Sequence, residues 1–227
     1  MTGASRGLGK ALVQGLLGRG YRVGACARSQ PPDLDGAYCR SVDVGDWRAV
    51  DTFAREVVEA VGPIDLWINN AGVLGPLGPL ASTDLAEWET CLRVNVLGVV
   101  HGSRALLAHR SSPGSLLVNI ASRAGVRGLP GLAAYSASKA AVIALTASLA
   151  EEADSSGTRI MAIVPPSVET DMQNTLQDLD ERTFPLVKDW RRRRREGGIA
   201  DADAAAELIL DAALSEDGVE GLLDLTV

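Results

Sequence analysis

Tyr135 and Lys139 stand four residues apart in the string YSASK, a spacing that puts both on one face of a helix. A nearby ammonium lowers a phenol's pKa, so this pair can exchange a proton with a reacting oxygen near neutral pH. The pair alone occurs by chance in many helices. It becomes specific with Ser122, thirteen residues before Tyr135 and just past an apolar run, in NIASRAG. Asn95, in VNVLG, falls in mid-helix, where Asn is a poor helix former, so a functional role is favoured over a solvent-facing one.

A second group sits at the start of the chain. Gly3, Gly7 and Gly9, in TGASRGLG, open a helix. Glycine is required where backbone turns tightly, approaches a pyrophosphate, or lets helix pack on strand, and a helix N-terminus offers N–H groups to phosphate. The spacing differs from G-x-G-x-x-G and from the P-loop, and no Lys-Ser/Thr follows, which argues against an NTPase. The next apolar run ends without Asp or Glu, the residue that NAD-preferring proteins place there for the ribose hydroxyls. Arg28 follows instead, and Arg6 lies inside the glycine loop. Two guanidinium groups can hold a 2′-phosphate, so NADP(H) is the expected cofactor; the plainer reading of Arg28 is a solvated charge.

These residues need elements to hold them. Apolar runs at 21–27, 64–68, 115–121, 158–164 and 221–227 read as strands. Helical patterns cover 8–17, 47–61, 87–109, 133–153 and 201–214, with Asp46 and Asp84 as N-caps. This alternation predicts an α/β fold, a doubly wound parallel sheet with helices on both faces, in a single domain over 1–227.

Composition narrows the function. The chain has 227 residues, 46% hydrophobic and 22% charged, which is a globular composition. A net charge of −7 argues against nucleic acid as a partner. Without a secretory signal, Cys26, Cys39 and Cys91 read as reduced, core-packing thiols of a cytoplasmic protein. His101 and His109 lack an acidic partner pattern, so no metal is expected. No apolar run approaches the roughly 20 residues of a membrane span. Arg191 to Arg195 form either a phosphate-binding patch or, the favoured reading, the solvated end of a helix.

Taken in order, residues 2–9, Asp43-Val44, residues 69–72, Asn95, Ser122, Tyr135, Lys139 and residues 165–172 resemble the compact branch of the short-chain dehydrogenases/reductases along nearly the whole chain. The resemblance implies a Rossmann-type fold and an oxidoreductase that reduces the carbonyl of a small molecule. It makes Tyr135 the proton donor, Ser122 the group that orients the carbonyl oxygen, Lys139 the binder of the nicotinamide ribose, and Asn95 the holder of a water linking Lys139 to solvent. The cofactor contacts it implies are Gly3, Ser5, Arg6, Gly7, Leu8, Gly9, Arg28, Asp43, Val44, Asn70, Ala71, Gly72, Tyr135, Lys139, Val168 and Thr170. The segment 172–198 would cover the substrate, and a homodimer or homotetramer would assemble through the helices at 87–109 and 133–153. TDMQ at 170–173 and the Gly-Pro-rich stretch 75–80 are similar to the sepiapterin and benzil reductase subgroup. There Asp224 would anchor a pterin, or is simply an exposed carboxylate.

The sequence departs from the family in two places. Pro165-Pro166 stands where the family has Pro-Gly, so the loop over the nicotinamide is expected to take a different path. The family's first strand, ahead of Thr2, is absent, which should leave a slot in the middle of the sheet. A GTG valine codon taken as the start would account for this. The other expectations are an inactive, N-terminally truncated member, or an NADP-binding sensor or interaction protein without turnover.

Overall fold

Leu116–Ile120 (LLVNI) is buried at every position and Arg159–Val164 (RIMAIV) at all but the first, as strands covered on both faces must be. The computed structural model describes residues 1–29, 34–110, 114–153, 157–215 and 221–226. Its order is α1 (Gly7–Gly18), β1 (Val23–Ala27), β2 (Ala37–Ser41), α2 (Trp47–Val61), β3 (Leu66–Asn69), α3 (Leu85–Leu92), α4 (Gly98–His109), β4 (Leu116–Ile120), α5 (Arg123–Val126), α6 (Ala133–Ala153), β5 (Arg159–Val164), α7 (Asp171–Asp178), α8 (Val187–Arg195), α9 (Ala202–Leu214) and β6 (Gly221–Asp224). All strand pairs are parallel, β3-β4-β5-β6 in one sheet and β1-β2 in another. One apolar cluster packs α1 and α9 on one face, and a second packs α2 and α4 on the other. The α/β fold with flanking helices matches the sequence expectation.

Between the two sheets lies the start of the chain. Thr2 bridges Cys26, and its N–H donates to the Ile68 carbonyl at 3.0 Å, while the Met1 carbonyl accepts from Cys26 N–H at 3.0 Å. Met1 and Thr2 thus stitch β1 to β3 only at their carboxyl ends. Below them a cavity of about 260 Å³, lined by Phe53, Val57 and Trp67 among others, separates the amino-terminal halves of these strands. The Met1 ammonium, held on the Gly24 carbonyl at 2.9 Å, points into it, and burial lowers its pKa.

The helix predicted over 87–109 is broken. Regular α3 gives way at Arg93–Leu97 to a π-helical turn, closed by the Gly98 N–H on the Arg93 carbonyl, before α4 resumes. The extra residue in that turn rotates Asn95 into the core. Strand β2 was not predicted, because its carboxyl end, Arg40-Ser41, is exposed at the sheet edge and breaks the apolar run. The short α5 and helix α7 also went unpredicted, whereas α8 ends in Arg191–Arg195, as the favoured reading of that run as the end of a helix had it. The expected strand 221–227 covers Gly221–Asp224, and Val227 lies outside the described residues.

Helix α6 has 21 residues and is, by length and composition only, long and apolar enough to cross a membrane, although polar residues interrupt its apolar stretches. Alanines raise its hydropathy, yet the helix carries the buried polar residues Ser136, Ser138, Lys139 and Thr146.

A buried polar ladder ties the sheet to its helices. Trp67 Nε1 donates to Asn69 Oδ1 at 2.8 Å, Asn69 Nδ2 to Asn119 Oδ1 at 2.9 Å, and Asn119 Nδ2 to Thr146 Oγ1 at 2.9 Å. Removing Asn119 takes one buried bond each from Asn69 and Thr146 and opens a cavity between them. Asn119→Ala should destabilise the chain by about 2–4 kcal/mol, read as a fall in the urea midpoint with the slope unchanged.

Candidate active site

Parallel strands leave a crevice at their carboxyl ends, where the chain turns away to opposite faces. Here a cavity of about 1080 Å³ runs along the ends of β1, β3, β4 and β5, walled by the segments that leave those strands. Every expected cofactor contact lines it, as do Ser122, Tyr135 and Lys139. Asn95 alone of the expected site residues does not.

At one end the glycine loop makes a shallow cradle. Gly3 has φ +72°, and a Cβ there would stand 2.7 Å from Ala71 Cα. A Cβ on Gly9 would stand 2.0 Å from the Gly3 carbonyl oxygen. Neither position tolerates a side chain. Thr2 and Asn70 brace the loop: Thr2 Oγ1 accepts from the Asn70 and Ala71 N–H groups, and Asn70 Nδ2 donates to the Thr2 and Gly3 carbonyls at 3.2 Å. No side chain caps α1, whose first residues line the cavity, so its free N–H groups and positive dipole end suit a phosphate. The cradle therefore fits a dinucleotide.

Of the two arginines expected near a 2′-phosphate, Arg28 follows β1 and has no ion-pair partner among the described residues. Arg6 instead pairs with Asp171 at 2.9 Å, both largely exposed. Asp43 is pushed up by burial but pulled further down by Arg93 at 3.0 Å and the Gly45 N–H, and stays ionised. Val168 lies on the wall, held in line by the bond from Ala200 N–H to the Ser167 carbonyl. Thr170 caps α7, its Oγ1 accepting from Gln173 N–H at 3.4 Å, and its methyl faces Gly7.

At the other end, Ser122 caps α5, its Oγ accepting from Ala124 N–H at 3.2 Å. One helical turn separates Tyr135 from Lys139 on α6, with the Lys139 Nζ 5.9 Å from the Tyr135 ring centre. Lys139 is 4% exposed, and its ammonium donates to the Ile120 carbonyl at 2.7 Å. Burial lowers its pKa to about 8, opposed by the nearby Cys91. The expected fall in the Tyr135 pKa is not found. Burial raises it, and the pull of the Ser122 hydroxyl only partly offsets that.

Asn95 sits behind the wall. Its amide pairs with the Val73 backbone, Oδ1 accepting from N–H and Nδ2 donating to the carbonyl, both at 2.8 Å. Nδ2 also donates to Ser138 Oγ at 2.9 Å and touches Cys91 Sγ at 3.4 Å. The side chain is thus spent on pinning the loop after β3 to α6. Ser138 and Cys91 were missed, although Ser138 lies inside YSASK.

Asp224 does not line the cavity; it caps the last turn by accepting from Thr226 N–H at 2.9 Å, which favours the plain reading of an exposed carboxylate. His109, expected to lack an acidic partner, bonds Asp51 at 3.0 Å. Among the described residues no group of three His, Cys, Asp or Glu side chains is placed to hold a metal ion. The arginine run tethers α8: Arg191 donates to the Gln177 and Leu179 carbonyls, Arg192 pairs with Asp189, and Arg194 with Glu169. Arg193 differs from these in lining the cavity.

An unfolded lysine titrates near about 10.4, so holding Lys139 charged in the fold costs on the order of 3 kcal/mol below its folded pKa of about 8. That cost fades as pH rises from the folded to the unfolded value. Lys139→Met removes the titration and should gain stability over the parent at about pH 7, with the gap closing towards about pH 10. Denaturant unfolding across that range measures it, and a gap independent of pH refutes the account.

The model of the short chain dehydrogenase family matches residues 1–181. The chain is 36% identical over 224 residues to a 2-(R)-hydroxypropyl-CoM dehydrogenase of Xanthobacter autotrophicus, covering 92% of this chain and 89% of that protein. It is 31% identical over 195 residues to a levodione reductase of Leifsonia aquatica, covering 79% and 73%. A short chain dehydrogenase from Burkholderia cenocepacia, solved in complex with NADP, superposes with a TM-score of 0.82 at 27% identity, covering 100% of this chain and 94% of that one. The glycine cradle, the crevice at the strand ends and the match across most of the chain have one conclusion: it belongs to the short-chain dehydrogenase/reductase family, oxidoreductases that use a nicotinamide cofactor to interconvert CH–OH and C=O groups.

Proposed function

We propose that this chain is an NADPH-dependent reductase that turns the ketone or aldehyde carbonyl of a small molecule into an alcohol. The observation that carries the reading is the meeting of Ser122, Tyr135 and Lys139 in one cavity whose other end is a glycine cradle bordered by Arg28. A bound nicotinamide cofactor supplies the hydride. Tyr135 gives its hydroxyl proton to the carbonyl oxygen. Ser122 uses a lone pair on the Ala124 N–H, so its own O–H is free to donate to that oxygen and orient it. Lys139 spends one N–H on Ile120 and offers the other two to ribose hydroxyls, while its charge steadies the tyrosinate as the proton leaves. Asn95 acts through the Val73 loop and Ser138.

Gly3, Ser5, Gly7, Leu8 and Gly9 hold the pyrophosphate, Asp43 and Val44 border the adenine, and residues 70–72, Val168 and Thr170 border the nicotinamide half. NADPH is preferred over NADH because β1 ends in Arg28 rather than a carboxylate, and because Arg6 can exchange Asp171 for a 2′-phosphate. The segment 172–198, with Met172 and Trp190 on the cavity wall, covers the substrate. Copies associate through α6, whose Ala133, Ala137, Ala140 and Ala144 form an exposed apolar row.

Tyr135→Phe should cut turnover of a ketone by about 10²–10⁴-fold while NADPH binding, followed by its fluorescence, persists. Loss of both together would contradict the assignment. Arg28→Ala should raise the Kd for NADPH by about 10- to 100-fold and leave that for NADH nearly unchanged, as one charge-assisted bond predicts.

A further inference from the structure

The cavity is more cationic than the protein around it. In a chain of net charge −7, its wall carries six cationic side chains and three carboxylates. Each of those carboxylates already has an arginine: Asp43 has Arg93, Glu169 has Arg194, and Asp171 has Arg6. The excess charge is therefore uncompensated by the protein itself. Arg28 accounts for part of it at the glycine-loop end. The rest is carried by Arg123, Arg127, Lys139 and Arg193, on a wall that also holds Ala124, Leu129, Leu132 and Leu176 of the apolar cluster packed against Tyr135.

Two exposed guanidinium groups on the same cavity wall follow segments of that cluster in the chain. Arg127 ends α5, between Ala124 and Leu129. Arg193 lies one turn beyond Trp190 on α8, and Trp190 is fixed by an edge contact with Phe184 and a bond to Gln173. Both arginines line the cavity, and among the described residues neither guanidinium has a hydrogen bond or ion pair. Arg191 and Arg194 are spent on α8's neighbours and Arg192 on Asp189 of the same helix. Two unpaired cations on a wall shared with apolar residues that pack against Tyr135 suit a molecule with an apolar body and an anionic end.

We propose that the substrate is a carbonyl compound bearing an anionic group, a carboxylate, sulfonate or phosphate, remote from the carbonyl, and that Arg127 and Arg193 hold that group. This rests on the carbonyl-reductase reading above. It makes Arg193, out of a run otherwise used to tether a helix, a determinant of specificity.

The test compares 4-acetylbenzoate with its neutral methyl ester as substrates of the NADPH-loaded protein. The acid should show kcat/KM about tenfold or more above the ester, carried by KM. Arg127→Gln with Arg193→Gln should bring the two values together, while Arg104→Gln with Arg195→Gln, an equal charge change off the cavity wall, should keep them apart. Equal values in the parent protein, or a preference that survives in the double variant, overturns the proposal. Calorimetry of 4-acetylbenzenesulfonate with the NADP⁺-loaded protein gives a readout independent of turnover. Binding that weakens about tenfold in the double variant supports the anion site. No binding, or equal binding, overturns it. Absence of reduction of either ketone counts against the carbonyl-reductase reading alone, and calorimetry then decides the anion site.

Discussion

A single buried ammonium organises this active site. Lys139 has little water and one carbonyl, that of Ile120, to share its charge with, and this burial lowers its pKa to about 8. Such a group persists only if the surrounding elements hold it in place. β4 must end at Ile120 to present the carbonyl, α6 must run past that end, and α5 must press on α6 so closely that a Cβ on Gly125 would stand 2.5 Å from the Lys139 backbone. Ser122 and Tyr135 arrive at the cavity as consequences of the same packing.

The electrostatics of the cavity follow a different logic from those of the surface. The exterior is acidic and its ion pairs are exposed, so they contribute little to stability. Inside the crevice the carboxylates are neutralised one by one by arginines, which leaves a positive field aimed at incoming ligands. Both a dinucleotide and an anionic substrate would be drawn to it.

Much of this could be read from the sequence, and the limits have physical causes. β4 and β5 were legible because continuous apolar runs have few other uses, and Asp46 marked the start of α2 to the residue. Tyr135, Lys139 and Ser122 were legible as a spacing. What escaped detection was anything set by tertiary contact. β2 has no periodic signal because an edge strand is only half covered. The break at Arg93–Leu97 has no Pro or Gly inside it to announce it. The direction of the Tyr135 pKa depends on burial, which spacing does not encode, and so spacing alone pointed the wrong way. Asp224 was a plausible ligand by position, but it lies off the cavity wall and its Oδ1 accepts from Thr226.

The π-helical turn at Arg93–Leu97 also fixes a phase. Each residue advances a helix by about 100°, so one extra residue sets α3 at that angle to the axis α4 would otherwise continue. Cys91 faces inward against the Val73 and Leu74 carbonyls because of that offset, and Leu85 and Leu92 face out. Excising one residue from the turn would leave every hydrophobic residue present and every strand intact. It would nonetheless rotate α3 like a key in a lock, withdrawing Asn95 from Val73 and releasing the loop that closes one side of the cavity.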